Sequence, residues 1–229
     1  MPKLKRKVCT LENYIDKLLM DEPYSFSRFG DGEWNAIFRK SGSNCDDHQY
    51  FPEMNARLEE AVRNPYDYIY GIQGLSMRHM SFEILELLGP DSPIEWCESD
   101  VFHKAFAKGM MGHMVRALKT KKVCLVGPMY MKDKRLSFLR TGGMIKVPIK
   151  DCYLEIDRIR GEILRNDYAE VFAFSSSMMT NVLIHELFPY IGTEKTLIDF
   201  GSVWDPCVGN FIRSIHNTYS KELIEGNLE

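Results

Sequence analysis

Residues 24–34 read YSFSRFGDGEW, and this stretch decides the fold. Residues 24–29 are predicted to form a strand that runs directly into the turn Gly30-Asp31-Gly32. A helix is predicted to follow over residues 33–40. A strand, a glycine turn and a helix in this order form the first half of a βα unit.

The same alternation continues to the end of the chain, which implies βα units and a mainly parallel sheet. We therefore predict an α/β, Rossmann-like fold, with helices flanking the sheet in a single domain over residues 1–229. Further strands are predicted at 66–70, 94–96, 122–126, 144–147, 170–174 and 196–200. Further helices are predicted at 10–20, 53–63, 79–88, 101–118, 155–164, 178–188 and about 207–219.

Composition narrows the class of protein. The chain has 229 residues, a net charge of −3 and six cysteines. That charge provides no global attraction to nucleic acid, although residues 3–7 and 132–140 are locally basic. No apolar stretch approaches the roughly 20 residues of a membrane span, and the basic N-terminus lacks the apolar region of a secretory signal. The cysteines show no C-x-x-C pair or zinc spacing, so we expect them to be reduced and the protein to be cytoplasmic, in a host cell if a phage encodes it.

Asp31 and Glu33 are two carboxylates separated by one glycine at a predicted strand end. Carboxylates this close repel each other unless a cation or a shared proton compensates. Mg²⁺ or Mn²⁺ suits them, because such ions bind one or two carboxylates together with substrate phosphates. Arg28 is placed to pair with a phosphate or with one of these acids. Spacing alone leaves open a plain turn with solvated acids, in which Glu33 belongs only to the first turn of a helix.

The flanking residues favour the functional interpretation. The stretch FSRFGDGE (residues 26–33) resembles the signature of the GT-D type glycosyltransferases, and LIDFG (residues 197–201) resembles the family's aliphatic-aliphatic-Asp-x-Gly strand end. The resemblance spans residues 24–205 in order. It implies that Asp31 and Glu33 bind Mn²⁺ or Mg²⁺ and the diphosphate of a nucleotide-sugar donor, most simply a UDP-sugar. It also makes Arg28 and Asp199 candidate site residues.

Other predicted strand ends add candidates, because ligands of parallel α/β sheets bind at the carboxyl ends of the strands. Gly30 and Gly32 allow close approach of the donor to the backbone. Gly127, followed by Pro128, suggests a helix start that binds phosphate, with an ordinary turn left open as the alternative. The hydroxyls of residues 175–177 suggest diphosphate binding, with helix capping as the alternative. The donor-site candidates are thus Arg28, Gly30, Asp31, Gly32, Glu33, Gly127, Ser175, Ser176 and Ser177.

The predicted function is metal-dependent transfer of a sugar to an acceptor hydroxyl. Asp199, Asp205 and Asp100 are the candidates for the catalytic acid or base. The acceptor is either a glycan or glycoconjugate, or a hydroxymethylated base in phage-type DNA, and a homodimer is left open. The alternatives are a Rossmann-like metal-dependent phosphohydrolase and a non-catalytic nucleotide-binding module.

Overall fold

A single parallel sheet organises the molecule. The structure, a computed structural model, describes residues 3–44 and 47–229. Within them the sheet has seven strands in the order β3-β2-β1-β7-β6-β4-β5, and every neighbouring pair is parallel. The predicted α/β class with a parallel sheet is therefore confirmed. The strands are β1 (Ser25–Phe29), β2 (Ile69–Ile72), β3 (Trp96–Glu98), β4 (Val123–Pro128), β5 (Gly143–Val147), β6 (Val171–Phe174) and β7 (Thr196–Asp199).

Helices cover both faces of the sheet. Successive strand residues alternate between two cores: Val123 and Leu125 pack on one face, and Cys124 and Val126 on the other. The face of Cys124 is covered by α2 (Asp31–Ile37), α3 (Pro52–Arg63), α4 (Gly74–His79), α5 (Ser81–Leu88), α8 (Ile156–Leu164) and α9 (Met179–Ile191). The face of Val123 is covered by α1 (Leu11–Leu19), α6 (Val101–Ala107), α7 (Met111–Lys119) and α10 (Lys221–Gly226).

Three helix predictions need correction. The single helix predicted over 101–118 is two helices, because Gly109 adopts a left-handed φ of +70° between α6 and α7. The helix predicted at 207–219 is absent, and 3-10 turns occupy 205–208 and 214–218 instead. Phe211 and Ile215 have helical spacing but are exposed, so their spacing did not mark a buried helix face. Helix α4 was not predicted.

The expectation that all cysteines are reduced is also wrong, since Cys9 and Cys97 form a disulfide. The N-terminal segment runs beside β3, where the Lys7 amide donates to the Trp96 carbonyl at 3.0 Å. This pairing brings together two cysteines that are 88 residues apart in sequence. Cys124, Cys152 and Cys207 are buried, and Cys45 lies outside the described residues. No helix in the described part of the chain is long and apolar enough to cross a membrane.

Candidate functional site

The first and last strands of the sheet, β1 and β7, are neighbours, and parallel α/β sheets bind their ligands at the carboxyl ends of the strands. The Asp199 carboxylate joins the two strand ends. Its Oδ2 accepts from the Arg28 backbone amide at 3.3 Å, and its Oδ1 accepts from the Gly201 amide at 2.9 Å. Arg28 and Asp199, predicted from separate motifs, are therefore in direct contact.

Hydrogen bonds hold both the guanidinium group and the backbone carbonyl of Arg28 at the end of β1. Its Nε donates to the Ser99 carbonyl at 2.8 Å, and its Nη2 pairs with Asp100 Oδ1 at 3.2 Å. Asn181 Nδ2 donates to the Arg28 carbonyl at 2.6 Å. Sequence analysis did not single out Ser99 or Asn181. The sequence did offer one signal for Asn181, because an asparagine inside an otherwise apolar helix usually has a hydrogen-bond partner. In the structure Asn181 is fully buried.

Gly201 makes room for the Arg28 side chain. A Cβ placed on Gly201 would lie 1.9 Å from Arg28 Nη1, far inside contact distance. Gly201 also has a φ of +55°, a conformation that favours glycine. The glycine of the LIDFG segment is therefore required both by its own backbone and by the position of the guanidinium.

Asp31 and Glu33 lie at the start of α2 and have different surroundings. Asp31 is the first residue of the helix and is exposed. Glu33 is half-buried, and its Oε2 accepts from the Gly30 amide at 2.7 Å. That bond caps the helix, and Glu33 lies in its first turn. Because a carboxylate has further acceptor positions, this capping bond leaves capacity for a cation.

Two acids of the site, Glu33 and Asp199, hold their protons unusually strongly. Burial raises the pKa of Glu33 to about 7; the nearby Asp199 charge adds to the rise, while the Gly30 amide and Arg28 oppose it. Burial also raises the pKa of Asp199 to about 6, against the opposing effects of Arg28 and the backbone amide of Gly201. A divalent cation would favour the charged form of Glu33, so the electrostatics of the site fit one.

The described residues contain no metal cage made by protein side chains alone. Over residues 3–44 and 47–229, no group of three or more His, Cys, Asp or Glu side chains is arranged to hold a metal ion. Two carboxylates, those of Asp31 and Glu33, are enough for the usual kind of Mg²⁺ or Mn²⁺ site, in which one or two carboxylates act together with substrate phosphates. The residues present therefore fit an ion that arrives with its diphosphate.

A cavity of about 640 Å³ lies at the carboxyl ends of β4, β5, β6 and β7. Residues 175–177, together with Gly201 and Asp205, are part of its lining. Asn44 connects it to the start of α2: Asn44 Nδ2 donates to Ser177 Oγ at 2.8 Å, and a Cβ on Gly32 would lie 3.3 Å from Asn44 Cβ. The carboxylate pair and the cavity are thus neighbouring parts of one crevice.

Three predicted site residues remain, Gly127, Asp100 and Asp205, and each has different surroundings. Gly127 lies within β4, and a three-residue 3-10 turn follows it, so the α-helix predicted to start there is absent. Phosphate binding at Gly127 stays a prediction. Asp100 is engaged with Arg28. Asp205 is buried, lines the cavity, and accepts from the Tyr130 hydroxyl at 3.1 Å.

The pKa of Glu33 leads to a testable pH dependence of stability. The folded protein, with a pKa of about 7 against 4.5 for the unfolded chain, binds this proton more tightly. Stability from this group is therefore present below about pH 4.5 and is lost as pH rises through 7. Without metal, we expect the melting temperature of the wild type to fall between pH 5 and 8 more steeply, by roughly a few degrees, than that of Glu33→Gln. Parallel curves for the two proteins would contradict the shift.

Comparisons with known proteins place this fold. Neither a protein-family model nor a curated protein sequence matches the chain. Among solved structures, the chain is similar to a domain of unknown function 1792 described as having a distinct glycosyltransferase fold, with a TM-score of 0.67 and 14% identity over 87% of this chain and 79% of that one. It is also similar to a new glycosyltransferase (DUF1792) from Streptococcus sanguinis, with a TM-score of 0.65 and 15% identity over 87% of this chain and 82% of that one.

A third similar structure, a selenomethionine-substituted DUF1792, has a TM-score of 0.65 and 14% identity over 87% of this chain and 79% of that one. Together these matches define the class of the fold. The chain has the glycosyltransferase fold of the DUF1792, GT-D type structures, and the predicted resemblance is confirmed at the level of the fold.

Proposed function

We propose that the chain is a metal-dependent glycosyltransferase that moves a sugar from a nucleotide-diphosphate donor to an acceptor hydroxyl. One observation carries the proposal. Asp31 and Glu33 follow Arg28 at the carboxyl end of β1, where β1 adjoins β7, next to a cavity of about 640 Å³, in a glycosyltransferase fold. A cavity of this volume is within the range of small-molecule sites.

Asp31 and Glu33 are the residues that would hold Mn²⁺ or Mg²⁺ with the donor diphosphate. Such an ion stabilises the negative charge that develops on a diphosphate leaving group. The hydroxyls of residues 175–177 lie on the adjoining wall and are suited to the diphosphate or the sugar. Arg28 is held by its hydrogen bonds to Ser99 and Asp100, so its charge is fixed without reorganisation during the reaction.

Among the three candidate acids, the surroundings favour Asp205 as the group that receives the acceptor proton. Asp199 and Asp100 are not among the residues that line the cavity. Asp205 lines the cavity and is oriented by the Tyr130 hydroxyl. A carboxylate in that position can accept a proton from a hydroxyl bound in the cavity.

The substitution Asp205→Asn is expected to separate donor binding from transfer. The asparagine side chain keeps the size and one acceptor oxygen but cannot take the proton, so transfer should fall about 10²- to 10⁴-fold. The dissociation constant for donor and Mn²⁺, measured by calorimetry, should stay within about threefold of wild type. Normal transfer by the variant would remove Asp205 from this role.

The acceptor class has two candidates, a glycan or glycoconjugate and a hydroxymethylated base in DNA. A DNA acceptor should shift in a gel with the protein at low salt and not at high salt, because phosphate contacts are salt-dependent. A shift with DNA would favour the second candidate. Transfer to a glycan, without a shift, would favour the first.

The test of the proposed function is a thermal-shift panel of nucleotide sugars with and without Mn²⁺, followed by product analysis. A bound donor stabilises the folded state by roughly 2.7 kcal/mol at 100 times its dissociation constant. We expect UDP-sugars with Mn²⁺ to raise the melting temperature, and the sugar to appear on an acceptor or on water with release of the nucleoside diphosphate. Hydrolysis of the diphosphate to a nucleoside monophosphate and a sugar phosphate would indicate a phosphohydrolase, and binding without turnover would indicate a nucleotide-binding module.

A further inference from the structure

The cavity beside the carboxylate pair has two chemically different parts. Its polar part includes Ser175, Ser202 and Asp205. Its apolar part comes from two separate segments of the chain: Ile149 after β5, and Ile212 after the turn at Gly209. Both isoleucines are unusually accessible, with 65% of Ile149 and 45% of Ile212 exposed.

The two isoleucines belong to a larger apolar wall. Val147, Pro148 and Val208 line the same cavity from the same two segments. Single exposed apolar side chains are normal on a protein surface, whereas several that converge on one cavity mark a binding surface. The mouth also carries charge, because Lys150 pairs with Asp47 there at 3.5 Å.

A diphosphate and a sugar have little apolar surface to offer such a wall. We infer that the acceptor is an amphiphile, a sugar hydroxyl carried on an alkyl or aryl group, with its sugar end at Asp205 and its apolar end against Ile149 and Ile212. This inference rests on the proposed function. A lipid-linked sugar and a sugar on an aromatic aglycone share this chemistry.

The test compares acceptors that differ only in their apolar part. At saturating UDP-sugar and Mn²⁺, kcat/KM is measured for common hexoses as free sugars, butyl and octyl glycosides below their micelle concentrations, and phenyl glycosides. We expect alkyl or phenyl glycosides to exceed the free sugar about tenfold or more. An increase from butyl to octyl indicates a lipid source, and preference for phenyl without dependence on chain length indicates an aromatic one. Equal values for all acceptors would overturn the inference.

Substitutions at Ile149 and Ile212 test whether these residues cause the preference for apolar acceptors. The double variant Ile149→Ser and Ile212→Ser should reduce the advantage of the apolar acceptors to about threefold or less, because it removes the apolar wall. Leu154→Ser is the matched control: Leu154 is 70% exposed but is not among the residues that line this cavity, and its substitution should keep the preference. If the double variant instead weakens UDP binding, the wall holds the donor base and the inference fails.

A binding measurement separates this inference from the proposed function. Calorimetry with octyl and phenyl glycosides needs no turnover. If the wild type transfers no sugar yet binds these glycosides at least about tenfold more tightly than the double variant, the proposed function fails while the apolar site stands. If transfer occurs and glycoside affinity is the same in both proteins, the function stands and the apolar site is rejected.

Discussion

Substitution of Asp31 or Glu33 by alanine is expected to lower sugar transfer by at least about 10²- to 10³-fold and to abolish the effect of Mn²⁺ on donor binding. Both carboxylates lie at the start of α2, and the pKa of Glu33 is raised to about 7 in the absence of a cation. Removal of either leaves the ion with too few protein ligands to compete with water. Glu53→Ala is the matched control, since Glu53 is an exposed acid in the first turn of another helix, α3.

Glu33 needs a second variant, because it also caps α2 through the Gly30 amide. Loss of a cap costs about 1 kcal/mol, so Glu33→Ala mixes lost function with lost stability. Glu33→Gln keeps an oxygen for the Gly30 amide but has no charge for a cation. We expect it to melt at or above the wild-type temperature at pH 8 and to lose transfer nonetheless. Mn²⁺-dependent donor binding that survives in Glu33→Gln and Asp31→Ala would refute the site.

Gly201→Ala is the second substitution with a large expected effect. Its Cβ would occupy the place of Arg28 Nη1, 1.9 Å away, so the guanidinium must leave its hydrogen bonds to Ser99 and Asp100. The end of a flexible side chain can move, so we expect a modest stability loss of about 1–2 kcal/mol, including the left-handed backbone strain. Transfer should fall about as far as in Arg28→Ala, by roughly 10²-fold or more.

A double-mutant cycle tests whether displacement of Arg28 causes the loss of transfer in Gly201→Ala. If Gly201→Ala acts by displacing Arg28, adding Arg28→Ala should change transfer little further, because residues in contact are not additive. Gly109→Ala supplies the control for backbone strain. Gly109 has a φ of +70°, and its Cβ would make only an ordinary contact of 3.5 Å, with Leu223. Equal losses of transfer in Gly109→Ala and Gly201→Ala would show that strain alone is responsible.

The strands were predictable because their buried apolar runs end at glycine, proline or serine. Each of the seven was expected near its observed position. The helix predictions that were wrong depended on backbone conformation, which the spacing of apolar residues does not encode. Gly109 interrupts a continuous helical pattern, and Phe211 and Ile215 have helical spacing while lying exposed.

The site was predictable only in part. The family resemblance made both Arg28 and Asp199 candidates, and the structure brings them into contact. The resemblance could not supply the strand order, which decides that Ser99, just after β3, and Asn181, in α9, reach Arg28. Nor could it show that Gly201 is constrained by a side chain 173 positions earlier, since that constraint exists only in three dimensions.

The position of β7 has a consequence for how a newly made chain becomes competent. β7 pairs with β1 on one side and β6 on the other, and among the strands of the described residues it alone joins the β3-β2-β1 part of the sheet to the β6-β4-β5 part. Asp199 meets an amide 171 residues earlier in the chain. Contacts so distant in sequence form slowly, because a long loop must close first. Synthesis therefore yields Arg28 early and its partner late, and the contact between them cannot form until β7 has been made and has paired with β1.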